Sequence, residues 1–396
     1  MQRRFLMALT LVSSTQRLSL AAVPPVTTLI AAETGLDAFR IGMATTITVV
    51  VMGIGSPLSA QITHLISRER IMALGALLVV VGCAVRAVPP LWVTLYVGSV
   101  VGGLGIAMVG TMVPGVIAER LPHTIGLAVG ATTFSLTLGA VVVSSLTAPI
   151  AGAVGAPLAM AVWAVPAMVG LLVWLPFTRR SERTPGGRTR LPWNSGSAWL
   201  SVALMSGQST TFVIVLAWVA PSLQQAGMTL EVAGLMLGAV TLGNMTGAMI
   251  SPLLSQGGGD RRRVLLVTLA LTVAGALYLA IGTTSGALPM MLMLGLGIGG
   301  GFGVVLSLLI DLGSSPRATA GLSAMTFLIA YLASAPGAAL SGAIRDVTGG
   351  FAPVWFVVVA VSLAQIPIAL ALGPRRFGTV RIAGIAPDPT PALPRG

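Results

Sequence analysis

Apolar runs of about twenty residues, separated by short breaks rich in glycine, proline and arginine, recur along almost the whole chain. A hydrocarbon core about 30 Å thick is crossed by about 20 residues of helix, so each run predicts one membrane-spanning helix. Twelve such runs lie near 5–30, 41–62, 71–88, 91–118, 125–147, 156–177, 197–222, 232–255, 264–283, 287–311, 319–344 and 351–373. The expected fold is all-α and integral to a membrane, with one six-helix bundle in residues 1–177 and a second in 197–373. Between them TRRSERTPGGRTRLPWNSG, residues 178–196, has no apolar period and reads as a linker. Residues 374–396 are too rich in proline to pack and are expected to form a disordered cytoplasmic tail.

Composition agrees with that reading: hydrophobic residues are 55% of the chain, charged residues 8%, and the mean hydropathy is +0.96. All 22 basic residues are arginine and the net charge is +12. In a soluble chain such an excess suggests nucleic acid; in a membrane chain it reports orientation, and no nucleic-acid partner is expected. Placing both termini in the cytoplasm puts 18 of the 22 arginines on that side, leaving Arg40, Arg86 and Arg345 opposite and Arg17 within the membrane. The expected location is the cytoplasmic (inner) membrane of a bacterium. MQRRFLMALTLVSS imitates a signal peptide, but Arg17 interrupts its apolar core and eleven further spans follow. Cys83 is the only cysteine, so no intrachain disulfide is possible, and its apolar run predicts plain packing.

The two halves repeat. SPLSAQ at 56–61 returns as SPLLSQ at 251–256, GLGI at 103–106 as GLGI at 295–298, and Gly126-Leu127 as Gly321-Leu322. Glu119 and Asp311, closing the fourth and tenth helices, also correspond, and these offsets stay between 192 and 195. Two parallel halves related by an axis along the membrane normal place a solute site at their interface, near the bilayer midplane.

Several stretches carry motifs beyond the repeat. TQRLSLAAVPP, residues 15–25, sets an arginine, Arg17, ahead of a closing proline, Pro25, in the first helix. GGLGIAMVGTMVPG at 102–115 marks the fourth helix; Gln208-Ser209, Leu216-Ala217-Trp218 and Pro221 the seventh; and AGMTLEVAGL at 226–235 the loop that follows. GAIRDVTG at 342–349 ends the eleventh helix. Together these resemble one branch of the major facilitator superfamily, that of cyanate permeases and 2-nitroimidazole transporters; the resemblance covers most of residues 13–373 and implies a transporter. The chain departs from the pattern at Thr15 and Gly110, where the branch carries asparagine, and at Leu18, where it carries proline. Two amides that could face substrate are thus missing, and substrate identity does not carry over.

Arg17 is the sharpest candidate for chemistry. A charge in the middle of a span costs about 2.5–3.5 kcal/mol on insertion scales, so it faces a cavity, a partner or a substrate. Its planar fork holds a carboxylate-like anion through two hydrogen bonds. The structural alternatives are hydrogen bonds to carbonyls near Pro24 and Pro25 or an ion pair with a buried acid, yet no carboxylate shares its expected depth. Helical spacing names companions for substrate binding: Ser13 one turn earlier, then Gln208, Thr211 and Trp218 on one face of helix seven. Tyr331, Thr132, Thr133 and Asn244 complete the set. Trp218, which the repeat places opposite Arg17, also reads as a packing aromatic, and Asn244 and Gln365 as amides joining helices. Glu119-Arg120 and Asp311 read either as cytoplasmic gates, pairing with Arg68, Arg70 or Arg261 to Arg263, or as solvated helix ends. Arg345 and Asp346, with Arg86, are the candidate external counterparts.

The leading expectation is secondary active or facilitative transport, by alternating access, of a small anionic or polar solute: cyanate-like, nitrate- or nitrite-like, or a small carboxylate. Efflux of a small neutral or aromatic compound such as a nitroimidazole or drug is the alternative, with Trp218 and Tyr331 stacking the ring. A membrane sensor that does not transport is a third reading. No histidine cluster, paired mid-membrane acids or phosphate-binding loop marks an enzyme, and no cofactor or metal is expected. His64 and His123 fall in predicted loops, which leaves a co-transported proton, an exchanged anion and uniport all open. A cavity built by two halves of one chain implies a monomer in the bilayer.

Overall fold

The computed structural model describes residues 2–36, 38–178, 191–255 and 260–381, the side chains at 27, 28, 38, 39, 42, 230, 231, 338, 339 and 346 excepted. Most of the expected linker and the last fifteen residues of the expected tail therefore lie outside the described residues. Among the described residues, eleven helices are long and apolar enough to cross a membrane. Helix one spans Gln2–Val26, helix two Met43–His64, helix three Arg68–Ala87, helix four Leu91–Arg120, helix five Ile125–Val154 and helix six Ala156–Thr178. Helices seven to ten span Gly196–Gln225, Val232–Leu254, Arg262–Ile281 and Ala287–Leu312, and the last spans Ala352–Ala371.

The run expected at 319–344 is helical but broken, with one helix over Pro316–Ser334 and another over Gly337–Thr348. Pro336 stands at the break, where it offers no N–H to continue the ladder. Arg317, Thr319, Ser323 and Thr326 dilute the apolar character of the first piece. The two pieces together are helix eleven below, and the last span is helix twelve.

The start of the expected tail is packed. Pro374–Arg376 forms a short 3-10 turn, after which Gly378 N–H donates to the Asp311 carbonyl (2.8 Å) and Val380 N–H to that of Leu312 (3.0 Å). Ser314 N–H donates to the Val380 carbonyl (3.0 Å), and Val380 is fully buried. The reason is local: the last carbonyls of helix ten lack intrahelical donors, and this strand-like segment supplies them and one apolar anchor.

Buried apolar side chains gather into four clusters, two in each half. On the arginine-rich face, the cluster of helices one, three, four, five and six also takes in Ile310 of helix ten and Ala320 of helix eleven, so the halves share a core there. Gly115 of helix four lies against Pro316, whose carbonyl oxygen would be 3.2 Å from a Cβ at that glycine. On the opposite face the cluster of helices seven to twelve contains no residue of the first half. Within the second half, helices eight and ten meet backbone to backbone. A Cβ on Gly295 would overlap the Val240 carbonyl oxygen, and one on Gly299 that of Asn244.

Candidate functional site

Helix one is not continuous. A regular α-helix over Gln2–Ser14 gives way to a 3-10 turn at Thr15–Arg17, then to a short helix at Leu18–Ala21 and a second 3-10 turn at Pro24–Val26. The sequence SSTQ explains the first break. Ser14 and Thr15 hydroxyls donate to the Leu11 and Val12 carbonyls (both 2.7 Å), and Gln16 Nε2 donates to the Ser13 carbonyl (3.2 Å). Three successive side chains thus engage carbonyls one turn back and compete with the i→i−4 ladder. Pro24 and Pro25 extend the irregularity by removing two donors. Arg17 itself has φ −98° and ψ −13°, close to the sparsely used bridge region.

That break presents Arg17 to a small cavity between the halves, of about 50 Å³. Helices one, two, four and five line it from one half, and ten and eleven from the other. Its polar lining is Ser13, Gln16, Arg17, Thr132, Thr133 and Tyr331. Among the described residues, the Arg17 guanidinium has neither an ion pair nor a hydrogen bond. Ser13 is 1% exposed and its hydroxyl has no partner among the described residues. Thr132 donates to the Ala128 carbonyl (2.8 Å) and Thr133 to that of Val129 (2.8 Å), so both have committed their protons to their own helix.

Five of the nine substrate-binding candidates therefore meet at one cavity: Arg17, Ser13, Thr132, Thr133 and Tyr331. The other four stand elsewhere. Trp218 donates through its indole N–H to Ser341 Oγ (2.8 Å) and packs on Phe351, joining helix seven to the second piece of helix eleven and to the start of helix twelve. Gln208 Nε2 donates to Gln365 Oε1 (3.1 Å), tying helices seven and twelve together. Thr211 is buried, its hydroxyl without a partner among the described residues. Asn244 lies where helix eight packs on helix ten. Helix seven faces its own bundle through these contacts, and so the expected confrontation of Arg17 with Trp218 does not occur.

Gln16 was not among the sequence candidates. Its Oε1 stands 2.8 Å from where a Cβ at Gly110 would be, so the glycine in helix four makes room for an amide from helix one. The signal was present: a site that lacks asparagine at 15 and 110 has a glutamine at 16. Phe302, Phe327 and Met52 of the apolar wall were equally unmarked, because apolar residues in an apolar chain carry no signal of their own.

At the arginine-rich face, Arg68 pairs with Glu119, and Arg120 pairs with Glu69 at 2.9 Å. In the second half Arg261 pairs with Asp311 through two nitrogens and also donates to Ser255 Oγ (2.8 Å). Each pair bridges two helices of one half, the third and fourth or the ninth and tenth. Outside the spans, hydrogen bonds from Arg262 hold the Asp260 carboxyl below the usual carboxylate range. On the opposite face Arg345 lies 5.3 Å from the centre of the Phe351 ring; the side chain of Asp346 lies outside the described residues. Arg86 is not a surface charge there. It is fully buried beside Ser19 and Ser99, while Cys83 packs in an apolar cluster and forms no disulfide.

Known proteins share this architecture of two helical halves. The sequence profile of the Major Facilitator Superfamily matches residues 9–328. The chain is 26% identical over 374 residues to the 2-nitroimidazole transporter of Escherichia coli (strain K12), covering 92% of this chain and 93% of that one. It is 25% identical over 391 residues to the cyanate transport protein CynX of the same organism, covering 94% and 98%. In fold it resembles the proton:xylose symporter XylE bound to 6-bromo-6-deoxy-D-glucose, with TM-score 0.76, 16% identity and coverage of 93% and 95%. It likewise resembles FucP in the outward conformation, with TM-score 0.72, 13% identity and coverage of 94% and 98%. A profile match over most of the chain, an all-helical fold and relatives that are transporters, not enzymes, establish that the chain belongs to the Major Facilitator Superfamily and is a multi-pass membrane transporter.

Proposed function

We propose that this transporter moves a small anionic solute by alternating access, with Arg17 as its principal contact. One observation carries the reading: a permanently charged guanidinium, in the middle of a span, lines the central cavity with no anion among the described residues to neutralise it. A buried unpaired charge costs several kcal/mol, and a bound anion offsets that cost while the fork supplies two charge-assisted hydrogen bonds. The E. coli cyanate relative supports the same class of solute.

The shared core of helices four, ten and eleven closes the cavity towards the arginine-rich face, which the excess of loop arginines assigns to the cytoplasm. The conformation is accordingly outward-facing. Glu119, Arg120 and Asp311 fix helix ends at this closed mouth and act as gating residues through the geometry of their own halves; Arg345 and Asp346 occupy the opposite mouth. Among the described residues, no acid or histidine lines the cavity. This favours a proton that travels on the solute, or exchange of one anion for another, over a protein-borne proton relay. A cavity completed within one chain supports a monomer in the inner membrane. The three aromatic rings of the cavity support a second reading, transport of a neutral ring compound as in the nitroimidazole relative.

Thermal unfolding of the purified protein, wild type and Arg17→Gln, against cyanate, nitrate, nitrite, acetate and 2-nitroimidazole separates them. A solute at 100 times its Kd stabilises the native state by about 2.7 kcal/mol. Stabilisation by an anion in wild type alone is the expected result. Equal stabilisation of both proteins by 2-nitroimidazole, with none by any anion, would leave the second reading standing and remove the first.

A further inference from the structure

The cavity lining combines two chemistries. Arg17 offers N–H donors and Ser13 a buried hydroxyl, none with a partner among the described residues. Phe327 and Tyr331 stack with ring centres 5.7 Å apart and planes within 12°, and Phe302, Met52, Ile106 and Leu306 continue the wall. Thr132 and Thr133 have given their protons to their own helix and present methyl groups and acceptor oxygens. Arg17 is the only cation among the lining residues, so the site neutralises one negative charge.

A compact inorganic anion would satisfy Arg17 and leave that wall wetted. A ring attached to the anion displaces the water, and the gain scales with the apolar area covered. We therefore propose that the solute is an organic monoanion with a flat apolar body, an aryl or cyclic carboxylate. Its carboxylate lies on the Arg17 fork with the Ser13 hydroxyl donating a further hydrogen bond, and its ring lies against Phe302, Phe327 and Tyr331. The inference rests on the anion reading of Arg17 and goes further by fixing what the anion is attached to.

Isothermal titration of the detergent-purified full chain tests it, with benzoate, cyclohexanecarboxylate, acetate, nitrate and benzyl alcohol as probes. Benzoate is expected to bind at least about 30-fold more tightly than acetate or nitrate, because only it covers the wall. Arg17→Gln should abolish benzoate binding. Phe327→Ala should weaken benzoate by about tenfold while changing acetate by less than about twofold. Unliganded melting temperature reports whether each variant folds, and Phe302→Leu replaces Phe327→Ala if the latter does not.

The outcomes divide cleanly. If acetate or nitrate binds as tightly as benzoate, the apolar-body inference falls and the anion reading stands. If benzyl alcohol matches benzoate and Arg17→Gln binds both unchanged, the anion reading falls and the inference with it. If wild type binds neither ring carboxylate, the inference falls regardless of what the inorganic anions do.

Discussion

Arg86 of helix three, fully buried, donates through Nη1 to the Ser19 carbonyl of helix one at 2.7 Å, while its Nη2 reaches Ser99 Oγ at 3.2 Å. Ser19 lies two residues beyond Arg17, in the short helix between the two 3-10 turns. The guanidinium therefore serves the backbone of a helix whose own hydrogen-bond ladder is interrupted, and holds the segment that carries Arg17, the proposed solute contact.

Two opposing terms decide what replacing it does. Burying the charge costs several kcal/mol, and hydrogen bonds to a charged group return about 1.5–3 kcal/mol each. Arg86→Met, close in length and without charge, should leave the melting temperature within a few degrees yet weaken solute binding about tenfold, since the segment carrying Arg17 loses its pin. Titration with whichever solute stabilises wild type measures this. Wild-type affinity in a folded Arg86→Met protein would show that Arg86 does not position Arg17.

The ion pairs of the two halves occupy equivalent places but differ in burial. Glu119 is 41% exposed beside a buried Arg68, whereas Asp311 and Arg261 are 13% and 7% exposed. Breaking a fully buried pair leaves an unmatched charge and costs about 3–5 kcal/mol; a pair with one partner open to water, as Glu119 is, costs less because solvent screens the site. Asp311→Asn should thus lower the melting temperature clearly more than Glu119→Gln. Equal losses would mean that burial does not set the worth of these pairs.

The glycine contact between helices eight and ten makes a third test. Gly299→Ala would drive a methyl group into the Asn244 carbonyl, so the helices must separate. Overpacking costs about 1–3 kcal/mol, and backbone against backbone belongs at the upper end. Gly238→Ala, on helix eight with nothing within 4 Å of the added carbon, is the control and should be neutral or mildly stabilising. A melting curve for each, run side by side, checks the difference; matching curves would mean the two helices have slack that the packing does not suggest.

The sequence by itself determined the membrane class, the division into helices, the repeat and the place of Arg17 within a span. All of these rest on composition, on period, or on the cost of placing a charge in hydrocarbon, and those are local. It also named the partners of Glu119 and Asp311 among its candidates, because charges at helix ends pair with charges at neighbouring helix ends.

Only the tertiary structure decided which polar residues meet. Gln208 and Trp218 looked like site residues on one face of helix seven, but Gln365 and Ser341 claim their donors. Arg86 looked like a loop charge, but helix one takes it inside. Val380 looked like part of a disordered tail until the uncapped end of helix ten gave its backbone a partner. In each case the deciding contact joins residues more than sixty positions apart in the sequence, and no local pattern of polarity specifies which of several donors a buried carbonyl or amide will find. The apolar wall facing Arg17 was hidden for a related reason: in a chain built for lipid, phenylalanines that line a cavity and those that face the bilayer are written alike.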